Sequence, residues 1–215
     1  MTVWATSDLH LQHVNILRYS RRSFITGKDP KTGLPTPTPD DVERMTREVI
    51  TRYNARVQPG DLVYILGDLA MGQKDKHPEL LRQLNGTKIL VYGNHDERFI
   101  KDPTTKKSRP ETLDEIRARY LGMGFSEVYD HLMVTHPDYG LIYMRHIPDP
   151  NFTGNLHFCG HVHEDFDRIG NIINVGVDVR DLEPKTFKEL VEAPFKGYLT
   201  DKPHRPMEDY AKDKN

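Results

Sequence analysis

Residues 61–68 read DLVYILGD and residues 88–96 read KILVYGNHD, two apolar runs of strand length that each lead into a glycine and polar side chains. Runs of this kind are typical of strands buried on both faces of a sheet. The same rhythm opens the chain, where the apolar residues of MTVWATSDLH give way to Asp8 and His10. In an open α/β sheet, polar groups that follow separate strands meet at the carboxyl edge. The sequence therefore predicts an α/β fold with its functional site at that edge.

The remaining elements are predicted from periodicity and turn residues. Thr38 caps a helix that has proline in its first turn and one apolar face to about Val57. The stretch 20–41, rich in proline and glycine, is predicted to be a long irregular loop that is either a lid or a mobile surface segment. The other expected elements are helices at 77–84 and 111–121, a basic loop at 101–110, and strands at 127–130, 132–136, 141–146, 156–159 and 172–177.

Composition and charge limit the class of protein. The chain has 215 residues, of which 29% are charged and 36% hydrophobic, a net charge of -2 and a mean hydropathy of -0.67. These values are typical of one polar globular domain without a strong attraction to nucleic acid. We expect the domain to span residues 1–200, followed by a polar tail at 201–215 that is frayed or loosely packed.

The cellular location is predicted from what the sequence lacks. No apolar run approaches the roughly 20 residues that cross a bilayer, and no secretory signal is visible. The single cysteine, Cys159, cannot form a disulfide within the chain, which suits a reducing compartment. We therefore expect a cytoplasmic protein with no membrane partner. The sequence does not indicate its oligomeric state.

Several of the 11 histidines fall close to aspartate or asparagine at the predicted strand ends. Asp8 and His10 are two residues apart, and on an extended segment such side chains point the same way and can bind one ion. His161 and His163 repeat this spacing and supply imidazole nitrogens, which bind transition metals. The carboxylate of Asp68 is a group that can bridge two cations. Together these groups predict a metal site.

In chain order the groups are D-x-H at residues 8–10, G-D at 67–68, G-N-H-D at 93–96, a lone histidine and G-H-x-H at 160–163. This order resembles the calcineurin-like metallophosphoesterases, and the segment HLQHVNILRYSRRSF resembles a small single-domain bacterial and phage-type branch of them. The resemblance implies a four-layer α/β/β/α sandwich with two mixed β-sheets. It also implies two divalent metal ions, with manganese favoured and iron, zinc, nickel or cobalt as alternatives.

The resemblance further implies a role for each matched residue. A hydroxide held between the two ions would attack phosphorus in line, while His95 would protonate the departing oxygen or stabilise the charge on the phosphoryl group. The implied metal ligands are Asp8, His10 and His163 for one ion, Asn94, His146 and His161 for the other, and Asp68 as the bridge between them.

The lone histidine of the pattern is assigned to His146. His136 borders the turn of the predicted hairpin and His146 closes its second strand at the opposite end, so the two cannot both face one site. His131 and His157 also lie in this interval. His146 is favoured because the phrase MRHIP resembles the fourth block of the family, in which a proline closely follows the histidine.

Substrate contacts are less specified by the sequence. His13 is a candidate because it follows D-x-H in the segment that resembles the branch, and the alternative is a structural histidine. Arg22 is a weaker candidate: Arg21 and Arg22 could form a fork to a phosphate, but adjacent arginines are more often a solvated surface pair. The residues assigned to packing, capping or the surface are His77, His157, His204, Asp96 and Cys159.

The predicted function is hydrolysis of a small nucleotide-like or organic phosphodiester. The arginine-bearing G-D-x-x-D-R-G block of phosphoprotein phosphatases is not present, since Leu69 and Ala70 follow Asp68, and this argues against a protein substrate. The alternatives are a phosphomonoesterase with the same site and a non-catalytic binding module of the same fold. The expected mark of such a module, a replaced histidine at position 95, does not occur.

Overall fold

Two β-sheets and several helices account for most of the chain. A computed structural model describes residues 1–20, 22–194, 196–199, 205–210 and 212–213. The strands are β1 (Val3–Thr6), β2 (Leu62–Ile65), β3 (Thr87–Val91), β4 (Phe99–Lys101), β5 (Ser108–Pro110), β6 (Glu127–Tyr129), β7 (His131–His136), β8 (Gly140–Arg145), β9 (Leu156–Cys159), β10 (Arg168–Ile169), β11 (Ile172–Asn174) and β12 (Lys185–Thr186). The α-helices are α1 (Ile16–Tyr19), α2 (Pro39–Arg56), α3 (His77–Arg82), α4 (Leu113–Met123), α5 (Phe187–Glu192) and α6 (Met207–Tyr210).

Both five-stranded sheets are mixed. The first has the order β12-β1-β2-β3-β6, with β1, β2, β3 and β6 parallel and β12 antiparallel at one edge. The second has the order β10-β11-β9-β8-β7, with a parallel centre and an antiparallel strand at each edge. The carboxyl ends of β1, β2 and β3 therefore lie side by side, as the strand rhythm predicts.

Alternating side chains on the central strands fill two separate cores. In β2, Val63 and Ile65 pack with α2, α3 and α4, whereas Tyr64 and the next residue of the same parity, Leu66 just after the strand, pack against the second sheet. On the far side of the second sheet, Tyr210 of α6 packs with apolar residues of β9, β11 and the loop 160–166. The order helices, sheet, sheet, helix confirms the predicted sandwich, although the outer layer over the second sheet is thin among the described residues.

Helix α2 begins where the capping signal predicts. The Thr38 side chain accepts the Asp41 backbone N–H, and Asp41 in turn accepts from the Thr38 backbone N–H. Asp41 also accepts from the backbone and hydroxyl of Thr26, which ties the preceding loop to the helix. Residues 20–38 contain no helix or strand in their described part, as expected from their prolines.

Two segments differ from the sequence-based expectation. The predicted basic loop at 101–110 is instead the end of a short hairpin of β4 and β5, whose turn is built by Asp102 accepting the backbone N–H groups of Thr104 and Thr105. The described part of the predicted tail contains α6, and its Tyr210 is buried, which differs from a frayed segment. The domain boundary at residue 200 stays a prediction. Among the described residues, no helix is long and apolar enough to span a bilayer.

Candidate metal centre

The predicted ligands lie in loops that leave the strands at one edge of the sandwich. Backbone hydrogen bonds from Asp8 N to Gly67 O (3.1 Å) and from His10 N to Asp68 O (3.0 Å) extend the pairing of β1 and β2 into these loops. The Asp8 carboxylate also accepts the backbone N–H of His161, at 3.2 and 3.0 Å, which joins the loops of the two sheets. Residues remote in sequence are thereby brought into one cluster.

The Asp68 carboxylate lies between two groups of potential ligands. Its Oδ2 is 3.5 Å from His10 Nε2 on one side and 3.4 Å from His146 Nε2 on the other. All three side chains are buried, at 2% exposure or less. One carboxylate oxygen is thus shared by two imidazoles that come from different sheets, which is the arrangement expected of a bridging ligand.

The first group consists of Asp8, His10 and His163, whose ligand atoms lie within 4.8 Å of one another. His10 Nε2 is buried and has no hydrogen-bond partner among the described residues, although it lies 3.8 Å from Asp8 Oδ1. A buried ring nitrogen aimed at two carboxylates is costly unless a proton or a cation completes the set. A divalent cation fits this donor set.

The second group is centred on Asn94. Its Oδ1 lies 3.1 Å from His146 Nε2 and 3.1 Å from His161 Nδ1. A carbonyl oxygen between two imidazole nitrogens, with Asp68 Oδ2 3.4 Å from one of them, His146 Nε2, offers nitrogen and oxygen donors of the type that transition metals accept.

Hydrogen bonds on the outer side of these imidazoles define which nitrogen faces the cluster. His146 Nδ1 lies 2.7 Å from Leu66 O, and a carbonyl only accepts, so Nδ1 carries the proton. His163 Nδ1 lies 2.7 Å from Asp178 Oδ2 in the same way. In the neutral rings, the remaining nitrogen of each presents its lone pair to the centre. The geometry therefore suits a cation better than another hydrogen-bond donor.

Five of the seven predicted ligands adopt left-handed backbone conformations, which residues other than glycine rarely adopt. Their φ angles are 57° for Asp8, 47° for His10, 55° for Asp68, 70° for His161 and 45° for His163. The prediction that the D-x-H pair lies on an extended segment is therefore wrong. Their side chains converge because tight left-handed turns follow the strands, and clustered backbone strain of this kind is typical of functional sites.

Gly93 is required by the close approach of the ligands. A Cβ at this position would meet Asp68 Oδ1 well inside contact distance and lie 2.9 Å from the His146 ring. We expect Gly93→Ala to weaken metal binding at least about tenfold and to destabilise the fold by roughly 1–3 kcal/mol, because both ligands must move. Gly122→Ala is the matched control, since a Cβ there meets nothing within 4 Å. Equal Mn²⁺ titrations and unfolding temperatures for the two variants would contradict this expectation.

Burial and charge act against each other in the pKa values of the cluster. Burial alone would lower the pKa of His146, but the adjacent Asp68 carboxylate outweighs it and raises that pKa. Burial likewise would raise the pKa of Asp68, but His146 and His10 hold it below its usual range. The pKa of His10 itself is lowered, chiefly by burial. A proton and a metal ion therefore compete for His146 Nε2.

This competition makes metal affinity depend on pH. Because the pKa of His146 is raised, its ring carries a second proton near neutral pH, on Nε2. A metal ion that binds Nε2 must displace this proton. We expect affinity for Mn²⁺ to increase from pH 6 to pH 8, by up to about tenfold per pH unit for each proton released. Calorimetric titrations in two buffers of different ionisation enthalpy measure the protons released, and a pH-independent affinity with none released would contradict the expectation.

His95 borders the cluster without being buried in it. Its backbone N–H donates to Asp68 Oδ1 at 3.0 Å, and its exposed ring lies 5.6 Å from the His10 ring and 5.8 Å from the His13 ring, centroid to centroid. His13 Nδ1 in turn lies 3.1 Å from His10 Nδ1. Burial, followed by His95, lowers the pKa of His13 to about 4, so this ring is neutral at pH 7. A contact of His13 with substrate stays a prediction.

Arg22 has a different environment from the predicted phosphate contact. Its side chain is 1% exposed and donates to Asp178 Oδ1 at 2.6 Å, to Leu9 O at 3.0 Å and to Asp8 O at 2.6 Å. Asp178 also accepts from His163, so the guanidinium supports a ligand from behind. These contacts favour a structural role for Arg22, and its contact with substrate stays a prediction. Sequence reasoning missed Asp178. The feature that could have identified it is its position as the last residue of the segment NVGVD, residues 174–178.

Asp96 holds two of the ligand loops together. Its carboxylate accepts the backbone N–H groups of Asp68 and Gly93, each at 2.8 Å, and the hydroxyl of Tyr120 at 2.7 Å. These bonds correspond to the capping role considered for it.

The other histidines considered lie away from the cluster or outside the description. His136 is at the β7–β8 turn and stacks on Tyr139, whereas His146 is in the cluster. His77 is buried beside Met71 O, and His157 is buried in edge contact with the stacked rings of Tyr143 and Phe152. Cys159 is buried in an apolar cluster, and burial raises the pKa of its thiol. Arg21 and His204 lie outside the described residues.

The fold and the cluster together place candidate ligands for two cations at the carboxyl edge of a β-sandwich. The sequence matches the family model of calcineurin-like phosphoesterases over residues 1–165. The chain therefore belongs to the calcineurin-like phosphoesterase family, as its motifs predict.

One protein sequence and one solved structure are also similar to this chain. An uncharacterized protein of Methanocaldococcus jannaschii is 34% identical over 97 residues, which are 44% of this chain and 47% of the relative. The match thus spans about half the length of that curated relative. A crystal structure of a protein of unknown function from Aquifex aeolicus superposes with a TM-score of 0.58 over 90% of this chain and 99% of that one. At 22% sequence identity, this likeness shows the fold alone.

Proposed function

We propose that this protein is a metal-dependent phosphodiesterase that hydrolyses a small nucleotide-like or organic phosphodiester at a dinuclear centre. The observation that carries the proposal is the sharing of the buried Asp68 carboxylate between two donor groups, with His10 Nε2 and His146 Nε2 on either side of it. Family membership supports the same reaction class. When bound, two divalent ions would activate a water molecule and neutralise the charge on the phosphoryl oxygens.

The proposed ligands are the seven residues of the two groups. Asp8, His10 and His163 would hold one ion, Asn94, His146 and His161 the other, and Asp68 both. Manganese is our first choice because the donors include carboxylate and amide oxygens, which suit it. The mixture of these oxygens with imidazoles also accepts iron, zinc, nickel and cobalt. We also propose a cytoplasmic location, because a single cysteine suits a reducing compartment.

His95 is the proposed catalytic residue. Its ring is exposed beside the cluster, and its backbone N–H is bonded to the Asp68 carboxylate, so its position is coupled to that of the shared ligand. A ring N–H of His95 would donate to the departing oxygen or to a phosphoryl oxygen. The presence of this histidine argues against the non-catalytic binding module.

Two small clefts flank Asn94 and support a diester substrate. One, of about 270 Å³, is lined by Arg145 and His146, and the other, of about 250 Å³, is lined by His95 and Arg98. A phosphodiester carries an organic group on each side of phosphorus, and each cleft has room for only a small one. A monoester would fill one cleft only, which makes the phosphomonoesterase the second candidate.

Hydrolysis of bis-p-nitrophenyl phosphate and of p-nitrophenyl phosphate by metal-stripped protein, before and after addition of Mn²⁺, tests the proposal. We expect metal-restored cleavage with the diester preferred. Metal-restored cleavage of the monoester alone would favour the phosphomonoesterase. Stoichiometric metal binding without turnover of these esters or of a panel of cyclic and linear dinucleotides would favour the binding module.

A further inference from the structure

Three of the four inward-facing imidazoles, those of His146, His161 and His163, differ in where their outer partners come from. His146 is oriented by the backbone carbonyl of Leu66, directly after β2, and His163 by Asp178, both within the sandwich. His161 Nε2 instead lies 2.7 Å from Asp213 Oδ2. Asp213 belongs to the docked segment, which we define as residues 205–210 and 212–213. This segment lies beyond the family match, which ends at residue 165.

The docked segment is attached by a buried aromatic residue. Tyr210 is 1% exposed, lies in the apolar cluster with Phe166, and donates its hydroxyl to Asp165 Oδ2 at 2.7 Å. Its ring is also in edge contact with the His161 ring, at 6.4 Å between centroids. The segment is therefore anchored beside the ligand loop by packing and not only by surface ion pairs.

Within the segment, Arg205 fixes the Asp213 carboxylate. Its two terminal nitrogens donate to Asp213 Oδ2 and Oδ1, each at 2.5 Å, and its guanidinium lies over the Tyr210 ring at 4.6 Å from the centroid. A bidentate pair of this kind sets the plane of the carboxylate as well as its charge. Oδ2 is thereby held toward His161 Nε2.

We propose that Asp213 is a positioning residue for the second metal ion, because it fixes the orientation and tautomer of His161 from the docked segment. With Nε2–H donated to Asp213, the lone pair of His161 Nδ1 faces Asn94 Oδ1 at 3.1 Å, inside the proposed ligand group. A carboxylate behind a ligating histidine restrains the ring and makes it a stronger ligand. This inference rests on the proposed function, since it assigns Asp213 to the Asn94, His146 and His161 ion.

Calorimetric titration of the metal-stripped chain with Mn²⁺ tests the inference. We expect wild type to bind two ions, and Asp213→Ala to weaken one site about 10–100-fold while the other stays within about twofold. Asp209→Asn is the matched control, because Asp209 is on the same segment but pairs with Lys212 and not with His161. Asp213→Asn, which keeps the side-chain volume, is expected to weaken the same site by roughly fivefold or more, and it replaces the alanine variant if that fails to fold.

The outcomes separate the inference from the proposed function. Two wild-type sites that remain within about twofold of wild type in every folded Asp213 variant would overturn the positioning role alone. Equal weakening of both sites would also overturn it, because His161 belongs to one group only. A wild-type chain that binds fewer than two ions would overturn the dinuclear centre itself. Thermal unfolding of the metal-free variants identifies any loss that comes from unfolding.

Discussion

Replacing Asp68 with asparagine is expected to abolish tight binding of at least one of the two metal ions and to reduce hydrolysis by more than about 10²-fold. The shared carboxylate contacts ligands of both groups, and an amide can supply only one neutral oxygen to two cations. Its loss also leaves His10 and His146 without the negative charge between them, so two like-charged ions would approach each other unscreened. Mn²⁺ stoichiometry and steady-state hydrolysis measure the two effects.

The control for this variant is Asp138→Asn, at the β7–β8 turn, where the side chain is 79% exposed and outside the cluster. It removes the same charge from the chain without touching the ligands. If Asp68→Asn still bound two ions with an affinity and rate equal to those of the control, Asp68 would not be the bridge.

Replacing His95 with alanine is expected to lower kcat by about 10²–10⁴-fold while both metal ions remain bound. The ring is exposed beside the cluster, and its connection to Asp68 is through the backbone N–H, which alanine retains. The effect is expected to be larger for esters with poor leaving groups, because these depend most on a proton donor.

His131→Ala is the matched control for this second variant, since His131 is 52% exposed on the first strand of the β7–β8 hairpin and pairs with Asp130. An unchanged kcat for His95→Ala, or a loss of rate accompanied by an equal loss of metal, would contradict a role for His95 in the chemical step.

Much of the fold and of the candidate site can be predicted from local sequence signals. The apolar runs that end at Gly67 and Gly93 predict β2 and β3, because burial on both faces leaves a continuous apolar pattern. Capping at Thr38 predicts the start of α2. Hairpin geometry separates His136 from His146 because strand length alone puts them at opposite ends. These signals act over a few residues, which is why they can be read from one sequence.

Features that depend on distant partners could not be predicted. Arg22 is charged and beside another arginine, which indicates a surface position, yet Asp178, 156 residues away, neutralises it in the interior. The partner of His161 is 52 residues further along, in a segment whose composition is typical of a loose tail. The left-handed turns at Asp8 and His10 are stabilised by contacts between loops, and residue type gives little sign of them.

Anomalous diffraction at the manganese absorption edge, from crystals of the wild-type chain grown with Mn²⁺, tests the central claim most directly. We predict two peaks on either side of the Asp68 carboxylate, one bounded by Asp8, His10 and His163 and the other by Asn94, His146 and His161. A single peak, or peaks bound by residues outside these two groups, would contradict the dinuclear centre.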